Sequence, residues 1–454
     1  QIRVPEERLP EQSRLEIRYS PTLAYAMMDA LPYLAAFPYG CTEQTLNRFL
    51  PTVITQKVLQ RMGVDLAAIQ KKRTNLNPQE IGDDHARAEQ WRRYKENPVF
   101  DEEQLRDMVK AGLQALGSMQ CADGGWGWFS GFGERSWPHT TAVVVHGLQI
   151  ALQNDVALVP GLLERGVEWL QRCQAEELKK LENGLLEPKL KPYRVRADNL
   201  DALVFRVLAD AKLDNPKMRE RLYQDRNELS VYAKALLGLA CHRLGDTEKR
   251  DMLLRNIEQF LRQDEENQSA WLNLGNGNYW WNWYGSEIEA HACFLQLLLA
   301  VRPADPVAPR LVKYLLNNRK HATFWNSTRD TALCLEAFAD YLKATGEDQP
   351  DLSVEIRVDG KTLKTVHISP ENLFTYDNAL VLSGAEVASG TRAVEFTKTG
   401  KGPLYFNAYL TNFTLEDPIP PAGLEVKIER RYFRLVPVAK TVKAAGDRGR
   451  RLAH

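Results

Sequence analysis

Two residues three positions apart, Cys41 and Gln44, have side chains that can react with each other. They lie in the segment FPYGCTEQTLNRFLP, residues 37–51, in which Pro38 and Gly40 interrupt the backbone before a helical run begins at about Cys41. Residues at positions i and i+3 share one face of a helix, so the thiol and the carboxamide are expected side by side. Attack of the thiol on the carboxamide carbon, with loss of ammonia, would join the two side chains as an internal thioester.

An internal thioester stores reactivity in a single bond. Sulfur donates little electron density into the carbonyl, and a thiol, with a pKa of about 8.5, is a good leaving group. An outside amine or hydroxyl would take over the acyl group of Gln44 and free the thiol of Cys41. The bond reacts once, which predicts a covalent trap and not an enzyme that turns over. Such a bond must also be kept from water until it is used.

Helical periodicity dominates the chain between a first strand and a final set of strands. Residues 1–20 are expected to be extended, because RLEIRYS alternates apolar and polar side chains. Ser20 and Pro21 predict a helix start, with a capping residue followed by proline at the first helical position. Amphipathic spacing then recurs to about residue 344 without a strand-like run. The predicted helices cover approximately 105–116, 140–153, 158–173, 199–212, 229–243, 249–263, 286–301, 306–317 and 328–343.

The strand pattern returns after residue 350. The run LSVEIRVDGKTLKTVHIS alternates around an Asp-Gly turn, which predicts a hairpin. The isolated first strand has no local partner, so we expect the helical domain to be inserted into a β domain. The predicted division is a first strand at 1–20, a helical domain at 21–347 with an exposed polar insertion at 64–100, the remaining β strands at 350–416, and an incomplete β element at 422–454.

The residues around Cys41 resemble the thioester site of the alpha-2-macroglobulin and complement family. That family shows the pattern P-x-G-C-x-E-Q, and this sequence is more similar to its bacterial members. The residues that match are Pro38, Gly40, Cys41, Glu43 and Gln44, with Pro51-Thr52-Val53-Ile54 downstream. The runs Ser286–Ala300 and Thr323–Leu342 also resemble helices of the family, although Phe324 and Asn326 replace two glycines of its pattern.

The resemblance implies a fold and a function. It implies that 21–347 is an α/α toroid, the thioester domain, inserted into a CUB-like β domain, and that 422–454 begins a β-sandwich macroglobulin domain of the receptor-binding type. The chain would be a C-terminal fragment of a protease inhibitor. In the full-length protein, cleavage of a bait region would expose the Cys41–Gln44 bond to lysine amines of the target protease. The resemblance also implies an extracytoplasmic location, partner domains in the parent protein, no cofactor, and a supporting role for Pro38, Tyr39, Gly40 and Glu43.

A second motif offers an alternative. Residues 120–126, QCADGGW, fit the Q-x-x-x-G-x-W pattern of terpene cyclases, which are also toroids. A cyclase of that kind needs an acidic D-x-D-D segment, and the sequence contains none. We therefore expect Trp126 to brace the toroid, and a toroidal enzyme remains an alternative function.

Aromatic and histidine residues are candidates for shielding the thioester or packing near it. These candidates are Trp126, Trp128, His139, Trp283 and Tyr284. Some complement-type members use a histidine to pass the acyl group to hydroxyls, but the matching stretch, 182–199, contains no histidine. We therefore expect a preference for amines, with His139 as the second choice for a transfer residue. Opsonin-like tagging of surfaces remains an alternative.

Composition excludes several function classes. The 454 residues carry 59 Lys plus Arg and 59 Asp plus Glu, so no broad positive field for nucleic acid is expected. The six cysteines are scattered without zinc-ligand spacing, so we expect neither a metal site nor a disulfide scaffold. No apolar run is long enough for a transmembrane helix, and no signal peptide opens the chain. Because residue 1 is not Met, we expect a piece of a longer protein.

Overall fold

A computed structural model describes most of the chain. The described residues are 1–37, 39–62, 97–130, 133–275, 285–320, 323–347, 349–373 and 375–413. Within them, the helices are α1 (Ala24–Ala35), α2 (Thr42–Arg61), α3 (Glu102–Met119), α4 (Pro138–Gln153), α5 (Leu162–Asn183), α6 (Asn199–Asp210), α7 (Pro216–Gln224), α8 (Val231–Arg243), α9 (Thr247–Glu258), α10 (Glu287–Val301), α11 (Val307–Asn317) and α12 (Thr328–Thr345).

The even-numbered helices form a closed ring. Each packs on the next in the order α2, α4, α6, α8, α10, α12, and α12 packs back on α2. The odd-numbered helices pack on the outside of this ring. Burial follows the same division: every residue from Val231 to Cys241 in α8 is buried, whereas outer α11 buries one stripe that includes Leu311 and Leu315. An all-round apolar helix belongs inside a domain and an amphipathic one at its surface.

The ring has two distinct ends. Because one outer helix separates each pair of consecutive inner helices, the inner helices all run in the same direction. Their starts meet at one end, where Thr328 Oγ1 of α12 donates to Glu43 Oε1 of α2 at 3.0 Å. We call this end the N-terminal pole. At the opposite end, the C-terminal pole, the last turns of the inner helices surround an open cavity lined by Arg61, Arg243 and Lys343 among others.

The strands are mostly placed at the two ends of the chain. They are β1 (Ile2–Val4), β2 (Arg14–Ser20), β3 (Leu261–Asp264), β4 (Ser269–Leu272), β5 (Asp351–Val358), β6 (Lys361–Ile368), β7 (Ala379–Ser383), β8 (Gly390–Arg392), β9 (Val394–Lys401) and β10 (Tyr405–Thr411). β2 is the central strand of an antiparallel sheet in the order β10-β2-β7, with Ile17 opposite Leu380 and Ala408. A second sheet has the order β6-β5-β9, and β1 pairs with β8. After the ring, the chain therefore returns to the sheet that it left.

A buried carboxyl joins the ring to this sheet. Glu347 follows α12, has no exposed surface, and accepts hydrogen bonds from Tyr405 Oη of β10 at 2.7 Å and from the Leu23 backbone N–H at 3.3 Å. Burial raises the pKa of Glu347 to about 7. The entry to the ring, its exit and the sheet thus meet at one protonatable group.

Two predictions of local structure are wrong. The helix expected to start with Pro21 in its first turn begins at Ala24, because Ser20 still belongs to β2 and pairs with Tyr405. The helical pattern also predicts no strand before residue 344, yet β3 and β4 form a hairpin between α9 and α10. β4 packs on α11 and buries Leu272, and this tertiary contact overrides the helical spacing of the region.

The predicted exposed insertion, 64–100, ends in buried residues. Val99 and Phe100 are 0% and 4% exposed, and the Asn97 side chain donates to the Met28 carbonyl at 2.6 Å. Apolar side chains so close to α1 are removed from water, which corrects the prediction for 97–100. The rest of that insertion and the predicted β element at 422–454 lie outside the described residues. Among the described helices, none combines the length and apolar character needed to cross a bilayer.

Candidate thioester site

Cys41 and Gln44 meet at the first turn of α2. Cys41 is the N-cap residue, with extended backbone angles, and Gln44 is the third residue of the helix. The Cys41 backbone N–H donates to Gln44 Oε1 at 3.3 Å, and the Cys41 sulfur accepts from the Gln44 backbone N–H. This is the geometry of a capping box, with cysteine in the place of serine or threonine. The interaction that caps the helix also holds the sulfur beside the carboxamide.

The thiol is kept in its protonated form. Cys41 is 8% exposed, and burial raises the pKa of its thiol despite hydrogen bonds from the backbone of Gln44. A cysteine that attacks substrates in turnover needs a lowered pKa, because the thiolate is the nucleophile. The pKa of Cys41 is instead raised, which argues against a cysteine protease. An S–H group beside a carboxamide instead has the proton that a leaving ammonia requires.

The start of α2 is fixed by the loop that precedes α4. The Thr42 backbone N–H donates to the Trp128 carbonyl at 2.9 Å, and the Thr42 hydroxyl donates to the Gly127 carbonyl at 2.7 Å. Gly127 is required here, because a Cβ atom would lie 2.5 Å from the carbonyl oxygen of Arg135. Trp128 thus supports the site through its backbone.

Trp126 is a brace inside the ring. It has no exposed surface, its indole N–H donates to the Leu116 carbonyl at 2.8 Å, and its backbone N–H donates to Thr141 Oγ1 at 2.8 Å. Gln120, the first residue of the cyclase-like motif, donates to the carbonyls of Gly124 and Leu162. The Gln120 amide and the Trp126 indole are therefore engaged in local structure, as the packing interpretation expects.

The same brace recurs on the other side of α2. Trp325 is also fully buried, and its indole N–H donates to the Leu315 carbonyl at 2.9 Å. Its backbone N–H donates to Thr331 Oγ1, the fourth residue of α12, as Thr141 is the fourth residue of α4. A tryptophan thus ties an outer helix to the next inner helix on both flanks of α2.

Charged groups are gathered below the site at the N-terminal pole. Glu43 accepts from Thr328 as described and also from the Asn47 side chain, while Arg329 is in contact with Glu289. Burial raises the pKa of Glu43, and the nearby guanidinium of Arg329 partly opposes that shift. Burial likewise raises the pKa of Glu289.

Asp330 completes this polar cluster, and sequence reasoning missed most of it. Asp330 accepts from Ser286 Oγ at 2.6 Å, and burial raises the pKa of its carboxyl. Carboxyl groups suit helix starts because the helix dipole favours negative charge there. A signal was present in the sequence, since Ser286 and Glu289 have the spacing of a capping box and form one.

The segment before Cys41 is held from the side. Arg48 of α2 donates to the backbone carbonyls of Phe37 and Tyr39, at 2.7 Å and 3.1 Å. The Tyr39 side chain is 68% exposed, and a Cβ on Gly40 would meet no atom within 4 Å. The site therefore has an open approach beside Tyr39 in the described part of the chain.

The remaining predicted residues either lie at the N-terminal pole or fall outside the described residues. His139, the second residue of α4, is 7% exposed and lines an enclosed cavity in the ring together with Asn47 and Arg329. Burial, with help from Arg329, lowers the pKa of His139 to about 3, so its imidazole is neutral. Pro38, Trp283 and Tyr284 lie outside the described residues.

Comparisons with known proteins point to one group. No protein-family model matches the chain. Alpha-2-macroglobulin of Thermotoga maritima is 24% identical over 333 residues, which are 72% of this chain and 16% of that protein. Thioester-containing protein 1 allele R1 of Anopheles gambiae is 22% identical over 421 residues, which are 88% of this chain and 27% of that protein.

A solved structure has a similar fold. It is similar to the crystal structure of Salmonella alpha-2-macroglobulin reacted with methylamine, with a TM-score of 0.52 and 19% identity. That match covers 93% of this chain and 23% of the Salmonella chain, so this chain spans between 16% and 27% of the length of these relatives. The resemblance that the residues around Cys41 predict is confirmed: this chain is similar in sequence to alpha-2-macroglobulin and thioester-containing proteins, and in fold to a bacterial alpha-2-macroglobulin.

Proposed function

We propose that Cys41 and Gln44 form an internal thioester and that this chain is the acyl-donor part of a protease-trapping protein. The observation that carries the proposal is the reciprocal capping pair, which holds the sulfur against the carboxamide. In the forming step, a bond between the Cys41 sulfur and the Gln44 side-chain carbon replaces the carbon–nitrogen bond. The amide NH2 group takes up the thiol proton and leaves as ammonia, so the step balances without an added reactant.

The acylating step runs in the opposite sense. An amine of the target attacks the Gln44 carbonyl carbon, the carbon–sulfur bond breaks, and a proton passes from the attacking nitrogen to the Cys41 sulfur. The products are an amide and a free thiol, and the reaction happens once per molecule. This chemistry makes the protein a single-turnover inhibitor of endopeptidases and not an enzyme.

Target proteases, reached through their lysine amines, are the proposed partners. Two relatives support this, since one is called a thioester-containing protein and the Salmonella structure is described as reacted with methylamine, a small amine. The bait region and the other domains would lie elsewhere in a longer parent protein at an extracytoplasmic location. The proposed domains are a toroidal thioester domain at 21–347 within a CUB-like domain at 1–20 and 350–416, followed by the start of a macroglobulin domain at 422–454.

The two alternative functions have less support. Transfer to hydroxyls, as in surface tagging, would be helped by a histidine in 182–199, and the sequence has none there. The neutral, largely buried His139 supplies no exposed substitute. A cyclase would need its tryptophan motif free to line an active site, whereas Trp126 is fully buried with its N–H engaged.

Mass spectrometry of the natural protein that contains this chain tests the proposal. The freshly folded protein should be lighter than its sequence by one ammonia, and methylamine should add to Gln44 while one thiol becomes titratable. C41A and Q44A should lose both properties. C121A, which removes a partly exposed cysteine outside the capping pair, is the matched control and should keep them. The full sequence mass together with no methylamine uptake would refute the thioester.

A further inference from the structure

The connection between α5 and α6 exposes a concentration of apolar side chains. It covers residues 184–196, with the sequence GLLEPKLKPYRVR, and we call it the α5–α6 loop. Residues 185–193 are all exposed, so the loop protrudes from the ring. None of the steps proposed for the thioester uses it.

Five large apolar side chains of the α5–α6 loop are exposed to solvent. They are Leu185, Leu186, Leu190, Tyr193 and Val195, each between 41% and 65% exposed. The described part of the chain exposes fourteen large apolar side chains in this way, so more than a third of them lie within eleven positions. Single exposed apolar residues are ordinary, whereas a group of them marks an interaction site.

The base of the loop is fixed by hydrogen bonds and ion pairs. The Arg194 backbone N–H donates to the Lys180 carbonyl at 2.8 Å, and the Asn183 side chain donates to the Pro192 carbonyl at 2.9 Å. The Arg194 guanidinium contacts three carboxyl groups at the base, those of Glu177, Asp198 and Asp201. The apolar side chains are therefore held on an ordered frame, which loses less entropy on binding than a free segment would.

Two lysines stand among the apolar side chains without a carboxylate partner in the described part of the chain. Lys189 and Lys191 flank Leu190, and Nζ of Lys189 lies 5.5 Å from the centre of the Tyr193 ring. The other cations of the loop, Arg194 and Arg196, are paired with carboxylates. Because Glu187 is the single acidic residue of the loop, the tip carries an excess of positive charge.

This combination favours a lipid surface over a protein surface as the partner. Protein interfaces are depleted of lysine and glutamate, and the tip carries two lysines and one glutamate. Segments that lie in the bilayer interface instead combine leucine with lysine, whose long stem stays among apolar groups while its ammonium reaches the phosphates. Tyrosine is also enriched at the level of the headgroups. The positive tip complements anionic headgroups in particular.

The loop lies at the same pole as Cys41, because it leads directly into the start of α6. α2 packs on α4, and α4 packs on α6, so one inner helix separates the two sites. Neighbouring packed helices are about 8–10 Å apart, which puts α6 roughly 16–20 Å from α2. A bilayer at the tip of the loop would therefore lie on the side of the ring where Cys41 is found.

We propose that the α5–α6 loop binds the surface of an anionic phospholipid bilayer. The exposed leucines would enter the boundary of the acyl chains, while Lys189 and Lys191 contact lipid phosphates. The binding is reversible, because one short apolar segment with two cations is less than the two strong signals that stable anchoring takes. This inference goes beyond the proposed function and does not depend on it.

Partition onto vesicles tests the proposal on the natural protein that contains this chain. The protein is sedimented with vesicles of phosphatidylcholine alone, or of phosphatidylcholine with phosphatidylglycerol, at low and at high salt. We expect binding to the anionic vesicles that weakens at high salt, since salt screens exposed charges. Hydrogen–deuterium exchange supplies the local measurement. The amides of 184–196 should exchange more slowly on anionic vesicles, whichever other parts of the natural protein touch lipid.

Variants of exposed leucines measure the apolar part of the binding. L190S should lower the partition coefficient by about fivefold, because a half-exposed leucine no longer leaves water. L152S is the matched control and should leave partition unchanged. Leu152 is 54% exposed near the end of α4, at the C-terminal pole, against 56% for Leu190.

Variants of exposed lysines measure the electrostatic part. K189Q/K191Q should lower partition by roughly tenfold or more at low salt, and by less at high salt. K361Q/K401Q is the matched control, because it removes the same charge from exposed positions of β6 and β9, and partition should stay unchanged.

Several results would overturn the proposal. They are no binding to anionic vesicles, equal binding to phosphatidylcholine alone, unchanged exchange of 184–196 on anionic vesicles, or equal partition of L190S and L152S. Sedimentation velocity without lipid covers a protein partner: a dimer that L190S dissociates would assign the loop to contact between two copies instead. C41A should bind vesicles as the natural protein does, so a failed thioester leaves this proposal standing, and failed vesicle binding leaves the thioester standing.

Discussion

Substitution of Arg329 by methionine probes the polar cluster beside the proposed thioester site. The guanidinium is 15% exposed and contacts Glu289, which is fully buried, and it also acts on the carboxyls of Glu43 and Asp330. Removing one partner of a buried ion pair costs about 3–5 kcal/mol, because the other charge stays buried without compensation. For a helical unit of this size, that loss corresponds to a melting temperature lower by roughly 5–15 °C.

The effect should depend on pH with a defined sign. The pKa values of the three carboxyls are raised in the fold, and loss of Arg329 raises them further. An acid whose pKa is raised in the fold contributes stability below its unfolded pKa. This contribution is lost as the pH rises through its folded pKa. The stability of R329M should therefore be closest to that of the natural protein near pH 4–5, and the difference should be largest near pH 8.

Thermal unfolding followed by circular dichroism at pH 5 and pH 8 measures both quantities. R310M is the matched control, since Arg310 of the outer helix α11 pairs with the exposed Glu265 between β3 and β4. Its melting temperature should stay near that of the natural protein at both pH values. The assigned role of Arg329 would be refuted if R329M had the same melting temperature as the natural protein at pH 8. It would also be refuted if the melting temperature were lowered as much at pH 5 as at pH 8.

Three further perturbations test the packing around the site. T42V removes a buried hydroxyl bonded to carbonyls of the neighbouring loop, so it should lower the free energy of unfolding in urea by about 1–3 kcal/mol. It should also speed hydrolysis of the proposed thioester. T55V removes a hydroxyl that bonds within α2, so it should lower the free energy of unfolding by less than T42V does. Equal losses in the two variants would contradict this expectation. W126F and W325F each remove one buried indole donor and should both cost about 1–3 kcal/mol, whereas a wide difference would show that the two braces are not equivalent. Because the pKa of Glu347 is raised from 4.5 to about 7, the natural protein should lose about 2–3 kcal/mol of stability between pH 4.5 and pH 8. E347Q should flatten that profile, and an unchanged profile would exclude Glu347 as its cause.

The parts of the fold that sequence predicts are those set by local spacing. The capping pair of Cys41 and Gln44 could be predicted because three residues separate its members and their side-chain types define the chemistry. The strand around Ile17 could be predicted to need a distant partner, since a half-buried strand without a neighbour is unstable. The predicted helix 158–173 continues to Asn183 as α5, because its charged second half still buries Gln174 and Leu181.

The rest of the site depends on ring closure, which no local pattern contains. Glu43 and Thr328 are 285 positions apart in the chain and share a hydrogen bond at the pole. Glu289 and Arg329 likewise come from neighbouring inner helices. Such groups become visible when the packing is known.

The pairing of β2 at the centre of its sheet has a consequence for biosynthesis. Tyr19 of β2 donates its hydroxyl hydrogen to the carbonyl of Asp377, 358 positions later in the chain. At about 5–20 residues per second, a nascent strand would wait about 20–70 s for that partner. During this interval β2 presents two open edges, which invite pairing with other chains. Successful folding therefore requires that the ring form first and bring the chain back to β2, or that a chaperone cover the strand meanwhile.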